Sequence, residues 1–376
     1  MRTGYVWPEQ FVGHNSEKFS PYALPGSLFV ESYSNFESLE SKIRLAHLVE
    51  ASGLLKHLDP LTAQEAEDED LLRVHKRLYI ESIRAQSGRP EGGDAGDGHT
   101  RFAHGGFEIA RLAAGGAITA TAAVLEGRVQ NAYALVHPPG HHALLHQGLG
   151  FCIFANLAIA AEWARTHYEI RRIAVVDWDV HHGNGTQAIY EQDPDTLTIS
   201  LHQDRLFPMN SGLMNERGSG RGHGYAINIP LPAGSGNDAY IATIERVVAP
   251  ALRVFQPELI LVASGFDACL HDPLGRQMLT VSGFRALAQH LRELANELTG
   301  GRLVLIHEGG YSPHYVPYCG LAVMEALSGM ETDTQDPRLE FAGHHAQLLQ
   351  PWQEEVIDQA AQLATELAQH REARNL

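Results

Sequence analysis

The chain has 376 residues, with 28 Lys+Arg against 45 Asp+Glu and a net charge of −17. That length allows one large domain or two of average size, and the 44% hydrophobic share is an ordinary globular composition. An acidic chain is poorly suited to gripping phosphate backbones, so nucleic acid is not an expected partner. Cationic small molecules and Lys-rich peptides remain compatible with it.

The 22 histidines are the unusual number, and nine of them fall between His137 and His223. Histidine carries protons near neutral pH and binds metals, but a count does not make a site. Spacing must do that. Cys152, Cys269 and Cys319 lie far apart and form no CxxC. They exclude a disulfide framework and a Cys-type zinc site, and fit reduced thiols in a cytoplasmic protein. The opening MRTGYVWPEQ shows no basic region followed by an apolar core, so no signal peptide is expected. The apolar stretch Phe151–Ala164 is interrupted by Asn156 and Glu162 and is too short to span a bilayer, so no membrane partner is expected.

In chain order, the acidic run Glu65–Asp70 precedes Leu71, Leu72 and Val74 and predicts a helix start, where acids are favoured. Ser87–His99 is Gly-rich and predicts an exposed loop. Phe107–Leu125 is Ala-rich and helical in pattern. Then short apolar runs alternate with helical stretches. The runs are Ala132–Val136, Ile173–Val176, Thr196–Ser200, Leu259–Ala263 and Leu303–Ile306. The helical stretches are Ala155–His167, Gly185–Glu191, Ala239–Phe255 and Ser282–Leu298, with a tail helix over Pro351–Arg374. This alternation predicts an α/β fold with a single open, mostly parallel sheet and helices on both faces. No boundary divides the chain, so residues 1–376 are expected to form one domain. On the tail helix, Ile357, Ala360, Leu363 and Leu367 share one face, and packing on its own core is the expected use of that stripe.

Four of the runs end in polar motifs. HPPGHH (His137–His142) follows the first, DWDVHHGNG (Asp177–Gly185) the second, SGFDA (Ser264–Ala268) the fourth and HEGGY (His307–Tyr311) the fifth. Ligands in open parallel sheets bind beyond the carboxyl ends of strands, so four motifs predict one crevice. In an extended segment Asp177, Asp179 and His181 share a face. With Asp267 from another strand end, Asp179 and His181 make a three-ligand metal site that leaves a position for water. One imidazole of His141-His142 suits a general base, and the other suits orientation by a carboxylate such as Asp177. Gly309-Gly310 lets backbone approach a ligand, and Tyr311 can donate to a developing oxyanion. Gly343-His344-His345 repeats the GHH string without a preceding strand and is expected to be ordinary surface.

HPPGHH, GFCIFANLAIAA, DWDVHHGNGTQ, ISLHQ, GFDACLHDPLG and HEGGYS, in this order across Leu71–Met330, resemble the histone deacetylase superfamily of zinc amidohydrolases. Within it they resemble the class II-like bacterial histone deacetylase-like amidohydrolases. The resemblance implies the arginase/deacetylase fold and one Zn2+ per chain on Asp179, His181 and Asp267. It makes His142 general base and then general acid, pairs His141 with Asp177, and gives Tyr311 the amide carbonyl. Gly150, Phe151, Phe207, Leu274 and Gly310 would line the substrate path. Structural K+ is implied at Asp177, Asp179, His181, Ser200 and Leu201, and a second at Tyr190, Asp193, Thr196 and Tyr225. The implied activity is hydrolysis of N-ε-acyl-lysine in peptide or protein. The alternatives are an acetylated polyamine substrate, with Asp94 and Asp97 as rim acids, and a non-catalytic acyl-lysine binder. Homo-oligomers, dimer or tetramer, are common among such relatives.

Arginase-type relatives on the same fold hold two manganese ions. A second metal would need carboxylates two residues beyond His181 and Asp267, where this chain has Gly183 and Cys269. Other departures are His137 in place of an Arg before PPGHH, which bears on the internal product channel, and Ala155 in place of an Asn. Asn184 stands where class I members have Asp, as in class II-like relatives. Trp7–Glu40 lacks the HPExPxR-like motif expected to help form the rim.

Overall fold

A computed structural model describes residues 2–14 and 36–375. Most of Trp7–Glu40 therefore lies outside the described residues. The strands are β1 (Thr3–Val6), β2 (Leu58–Pro60), β3 (Gly93–Asp94), β4 (Arg101–Phe102), β5 (Asn131–Ala134), β6 (Ile173–Asp177), β7 (Thr196–Gln203), β8 (Ala226–Leu231), β9 (Leu259–Ser264) and β10 (Leu303–His307). Eight of them form one sheet in the order β2-β1-β5-β10-β9-β6-β7-β8, and every pairing in it is parallel. β3, inside the expected Gly-rich loop, and β4, just beyond it, make a separate antiparallel pair.

Alternate side chains of each strand enter opposite cores. Ala174 and Val176 of β6 join Tyr133, Val262 and Leu305 on one face, while Ile173 and Val175 join Ala134, Leu261 and Ile306 on the other. Both faces are covered, which is why the central strands are nearly continuous apolar runs. Helices Gly106–Leu125 and Asn156–His167 cover one face. Helices Val281–Leu298, Val316–Ser328 and Pro351–Asn375 cover the other. Gly106–Leu125 is long and apolar enough to cross a bilayer by length and composition, yet most of it is buried against the sheet.

The expected helix start at the acidic run is present: Glu67 and Asp70 form a reciprocal capping box for Asp68–Leu72. The tail stripe of Ile357, Ala360, Leu363 and Leu367 is buried in the chain's own core. Gly343, His344 and His345 are exposed. β1, β2 and β8 were not foreseen. The first two are four and three residues long, too short for a periodic signal. β8 contains Pro230, which an edge strand tolerates because one side of it needs no ladder bond.

The four motif-bearing strands, β5, β10, β9 and β6, are neighbours in that order at the centre of the sheet. All run the same way, so their carboxyl ends open at one edge.

His75 ties this edge to the helical layer. Its Nδ1 donates to Leu144 O at 3.0 Å and its Nε2 accepts from Ala155 N at 2.9 Å, which requires a neutral ring. Burial lowers its pKa to about 4. The folded value lies below the unfolded one, so the stability it contributes is present above pH 6.5 and is lost as the pH falls toward about 4, on the order of 3 kcal/mol at most. Denaturation midpoints at pH 7.5 and 5 should therefore differ less in His75→Gln than in the wild type. An equal pH dependence in both would remove His75 from the acid response.

Candidate active site

Asp177 ends β6, and the next four residues curl inward through side-chain bonds to their own backbone. Asp177 Oδ1 accepts from Asp179 N at 3.0 Å, and Asp179 Oδ1 from His181 N at 2.9 Å. Trp178 and Val180 point into the core and anchor the turn. Asp267, just beyond β9, accepts from Val180 N at 2.9 Å. His181 Nδ1 then lies 3.0 Å from both Asp179 Oδ1 and Asp267 Oδ2. Asp179 and Asp267 are wholly buried. Burial raises the Asp267 carboxyl and the charge of Asp179 raises it further. Burial would lower His181, but the charges of Asp267 and Asp179 hold its pKa above the usual histidine range. Two buried carboxylates and one imidazole thus demand a cation among them. Donor spacings of 3.0 Å suit an ion bound at ~2 Å, whose tetrahedral edge is about 3.3 Å. The residues fit zinc.

The HPPGHH turn leaves β5 beside β10. Glu308 Oε2 accepts from Gly140 N at 2.6 Å and from His141 N at 3.0 Å. His141 Nδ1 is 2.9 Å from Asp177 Oδ2, and its Nε2 is 3.8 Å from Asp179 Oδ1. Burial opposes charge on His141, yet the charges of Asp179 and Asp177 lift its pKa well above the ordinary value. His142 Nδ1 is 2.7 Å from Asn184 Oδ1. Burial and the charges of His141 and His181 push His142 well below the ordinary value. The two adjacent rings lie 4.0 Å apart, and their surroundings push their pKa values in opposite directions.

A cleft of about 400 Å³ opens above this corner, lined by His142, His181, Tyr311, Phe151, Phe207 and Leu274 among others. Gly150 also lines it, and a methyl group there would collide with His142 and Phe207. Phe151 holds a positive φ of 71°. That conformation is fixed by its N–H on Thr100 Oγ1 at 2.9 Å, beside Gly150 N on Asp97 Oδ2 at 2.9 Å. The Gly-rich loop is therefore a brace for this wall. Asp94 does not reach the cleft; its Oδ1 accepts from Gly96 and Gly98. Gly310 is not a cleft wall either. It sits behind Tyr311 with its carbonyl bonded to Ser41 Oγ at 2.8 Å.

Sequence reasoning missed Glu308, Asp272 and Thr100. Asp272 Oδ2 accepts from Tyr311 N at 2.7 Å and Oδ1 from Leu274 N at 2.9 Å. Asp272 and Glu308 stood inside the strings GFDACLHDPLG and HEGGYS, but their partners are backbone groups that no spacing reveals. His137 is buried with Nδ1 3.0 Å from Glu37 Oε1, and that carboxylate also meets Lys42 Nζ at 3.3 Å.

The two sets expected for potassium differ. Asp177 and Ser200 face each other across β6 and β7, next to Leu201, Asp179 and His181. In the second set a guanidinium is already present. Arg165 donates to Asp193 Oδ2 at 2.9 Å, to Thr196 Oγ1 at 2.6 Å and to Asp195 O at 2.9 Å, and lies 5.7 Å from the Tyr190 ring centre. Tyr225 lines a separate pocket with Arg171, Arg172 and Arg371. Besides the Asp179–His181–Asp267 group, one other group among the described residues has metal-ligand spacing: His141, Cys152 and Glu308. There Glu308 Oε2 accepts two amide hydrogens.

A parallel sheet carrying this constellation at its carboxyl edge defines an amide hydrolase of the deacetylase type. Residues 37–327 match the histone deacetylase domain model, and the chain belongs to the histone deacetylase family. It is 50% identical over 349 residues to the histone deacetylase-like amidohydrolase of Pseudomonas aeruginosa, covering 90% of each chain. It is 35% identical to a probable deacetylase of Archaeoglobus fulgidus, covering 88% of each. Its structure is similar to the crystal structure of the HDA15 HD domain, with a TM-score of 0.84 and 29% identity over 99% of this chain and 98% of that one.

Gly309 N donates to Asp179 Oδ2 at 2.9 Å, and a methyl group at 309 would overlap the carboxylates of both Asp267 and Asp179. Gly309→Ala should weaken divalent-metal binding at this corner by at least about tenfold, since separating two ligands costs more than 1.4 kcal/mol. Competition with a chromogenic chelator measures this. Unchanged affinity would show that the carboxylates need not stay close.

Proposed function

We propose that the protein is a zinc-dependent deacylase that cleaves N-ε-acyl-lysine-type amides to a free amine and a carboxylate. The observation that carries this reading is that His142, His181 and Tyr311 line one narrow cleft over a buried Asp–His–Asp corner. Asp179, His181 and Asp267 would hold the zinc. When bound, zinc acidifies a water molecule and polarises the amide carbonyl.

The chain's own groups do the rest. Asn184 accepts from His142 Nδ1, which leaves His142 Nε2 as the free base. Burial and the neighbouring positive charge of His141 keep that ring neutral and ready to take a proton from water. His142 then returns the proton to the leaving amine. His141, cationic between Asp177 and Asp179, holds positive charge beside the reacting centre. Burial, and then the charges of Glu37, Asp267 and Asp179, keep the Tyr311 phenol protonated, so it donates to the oxyanion of the tetrahedral intermediate. Phe151, Phe207 and Leu274 select a thin aliphatic stem. A potassium ion is proposed for the first set alone, since Arg165 engages the side-chain oxygens of Asp193 and Thr196 in the second.

An acetylated polyamine would pass through the same cleft, but Asp97 at its mouth is already bonded to the amides of His99, Thr100 and Gly150. That favours acyl-lysine in peptide or protein. Chelation should abolish hydrolysis of an acetyl-lysine peptide and added zinc should restore it. Tyr311→Phe should lower kcat by about 10²-fold or more with zinc content unchanged. Near-normal turnover in Tyr311→Phe would remove the phenol from the reaction. Faster hydrolysis of acetylputrescine than of the peptide would overturn the substrate assignment.

A further inference from the structure

Glu308 is wholly buried, at the end of β10, and three residues before Tyr311. Its Oε2 receives the amide hydrogens of Gly140 and His141 at 2.6 and 3.0 Å, across 168 and 167 residues of sequence. Those two amides belong to the turn that delivers His141 and His142. Its Oε1 is buried without a hydrogen-bond partner. A carboxylate with one oxygen doubly engaged and the other idle is a poor choice for stability alone, because burial penalises the idle oxygen.

We propose that Glu308 is a positioning residue that acts through the length of its side chain, clamping the His141-His142 turn so that His142 Nε2 meets the cleft. Through Glu308 and Tyr311, one strand end would set both the base and the oxyanion donor. This inference rests on the assignment of His142 as general base.

Reach and charge are separable. Burial pushes the Glu308 carboxyl up to about 7, so near neutral pH its charge is partly lost, while an oxygen accepts both amides in either state. Glu308→Gln keeps reach and removes charge. Glu308→Asp keeps charge and withdraws the oxygen by about one bond length, a displacement of the size that costs up to about 10²-fold in rate.

The test uses the zinc-loaded enzyme on an acetyl-lysine peptide, with hydroxamate affinity and zinc content measured beside kcat and KM. Hydrogen exchange over residues 137–145 reports the turn directly. A clamp predicts that Glu308→Asp loses about ten- to a hundredfold in kcat at unchanged KM, hydroxamate affinity and zinc content, with faster exchange over 137–145. It predicts that Glu308→Gln recovers most of that loss. Full activity in Glu308→Asp with loss in Glu308→Gln would assign the role to charge and overturn the clamp. Parallel loss of zinc, hydroxamate binding and kcat in both would make Glu308 merely structural and also overturn it. Inactivity of the wild-type holoenzyme would instead sink the deacylase reading itself.

Discussion

Two carboxylates, Asp179 and Asp267, are enclosed at the carboxyl edge of the sheet around one imidazole. Buried charge of like sign is costly unless every oxygen finds a donor and a cation sits nearby. The surroundings meet that demand from three strand ends. His181 N and Gly309 N serve Asp179, Val180 N serves Asp267, and His141 brings a positive ring. The same demand sets the glycines. A methyl group at 265 would collide with Asp179, and one at 309 with both carboxylates. Spacing among β6, β9 and β10 is therefore dictated by charge compensation as much as by apolar packing.

The cleft walls follow a second rule: each apolar or reacting side chain is aimed by a bond to its own backbone. Asp97 and Thr100 hold Gly150 and Phe151. Asp272 holds both Tyr311 and Leu274. An apolar wall cannot be oriented by contacts alone with comparable precision, because dispersion is weak per pair and non-directional. Buried acceptors on distant elements supply the direction, and the positive φ of Phe151 persists because its amide is engaged.

Much of this was legible in the sequence. The acidic capping box, the five central strands and the helices between them follow from period and caps that act within a few residues. The DxDxH turn is local too, since Asp177 and Asp179 bond to amides two residues ahead. Glu308, Asp272 and Thr100 escaped because each acts on amide hydrogens far along the chain or in the next loop, and any residue type presents an amide. Gly310 uses its freedom of backbone, at a φ of 133°, and its carbonyl accepts from Ser41 Oγ, while the cleft lining does not include it.

The sequence by itself determined the parallel α/β sheet, the edge at which the motifs gather and the residue types of the site. Those depend on hydrophobic period and on short-range spacing, which are written in the order of residues. The tertiary structure alone decided which strands are neighbours, which histidine of the pair is charged and what holds each wall in place. Those depend on distances between groups far apart in the chain. His141 faces Asp177 and Asp179, His142 faces Asn184, and the adjacent rings are pushed in opposite directions only because the fold gives them different neighbours.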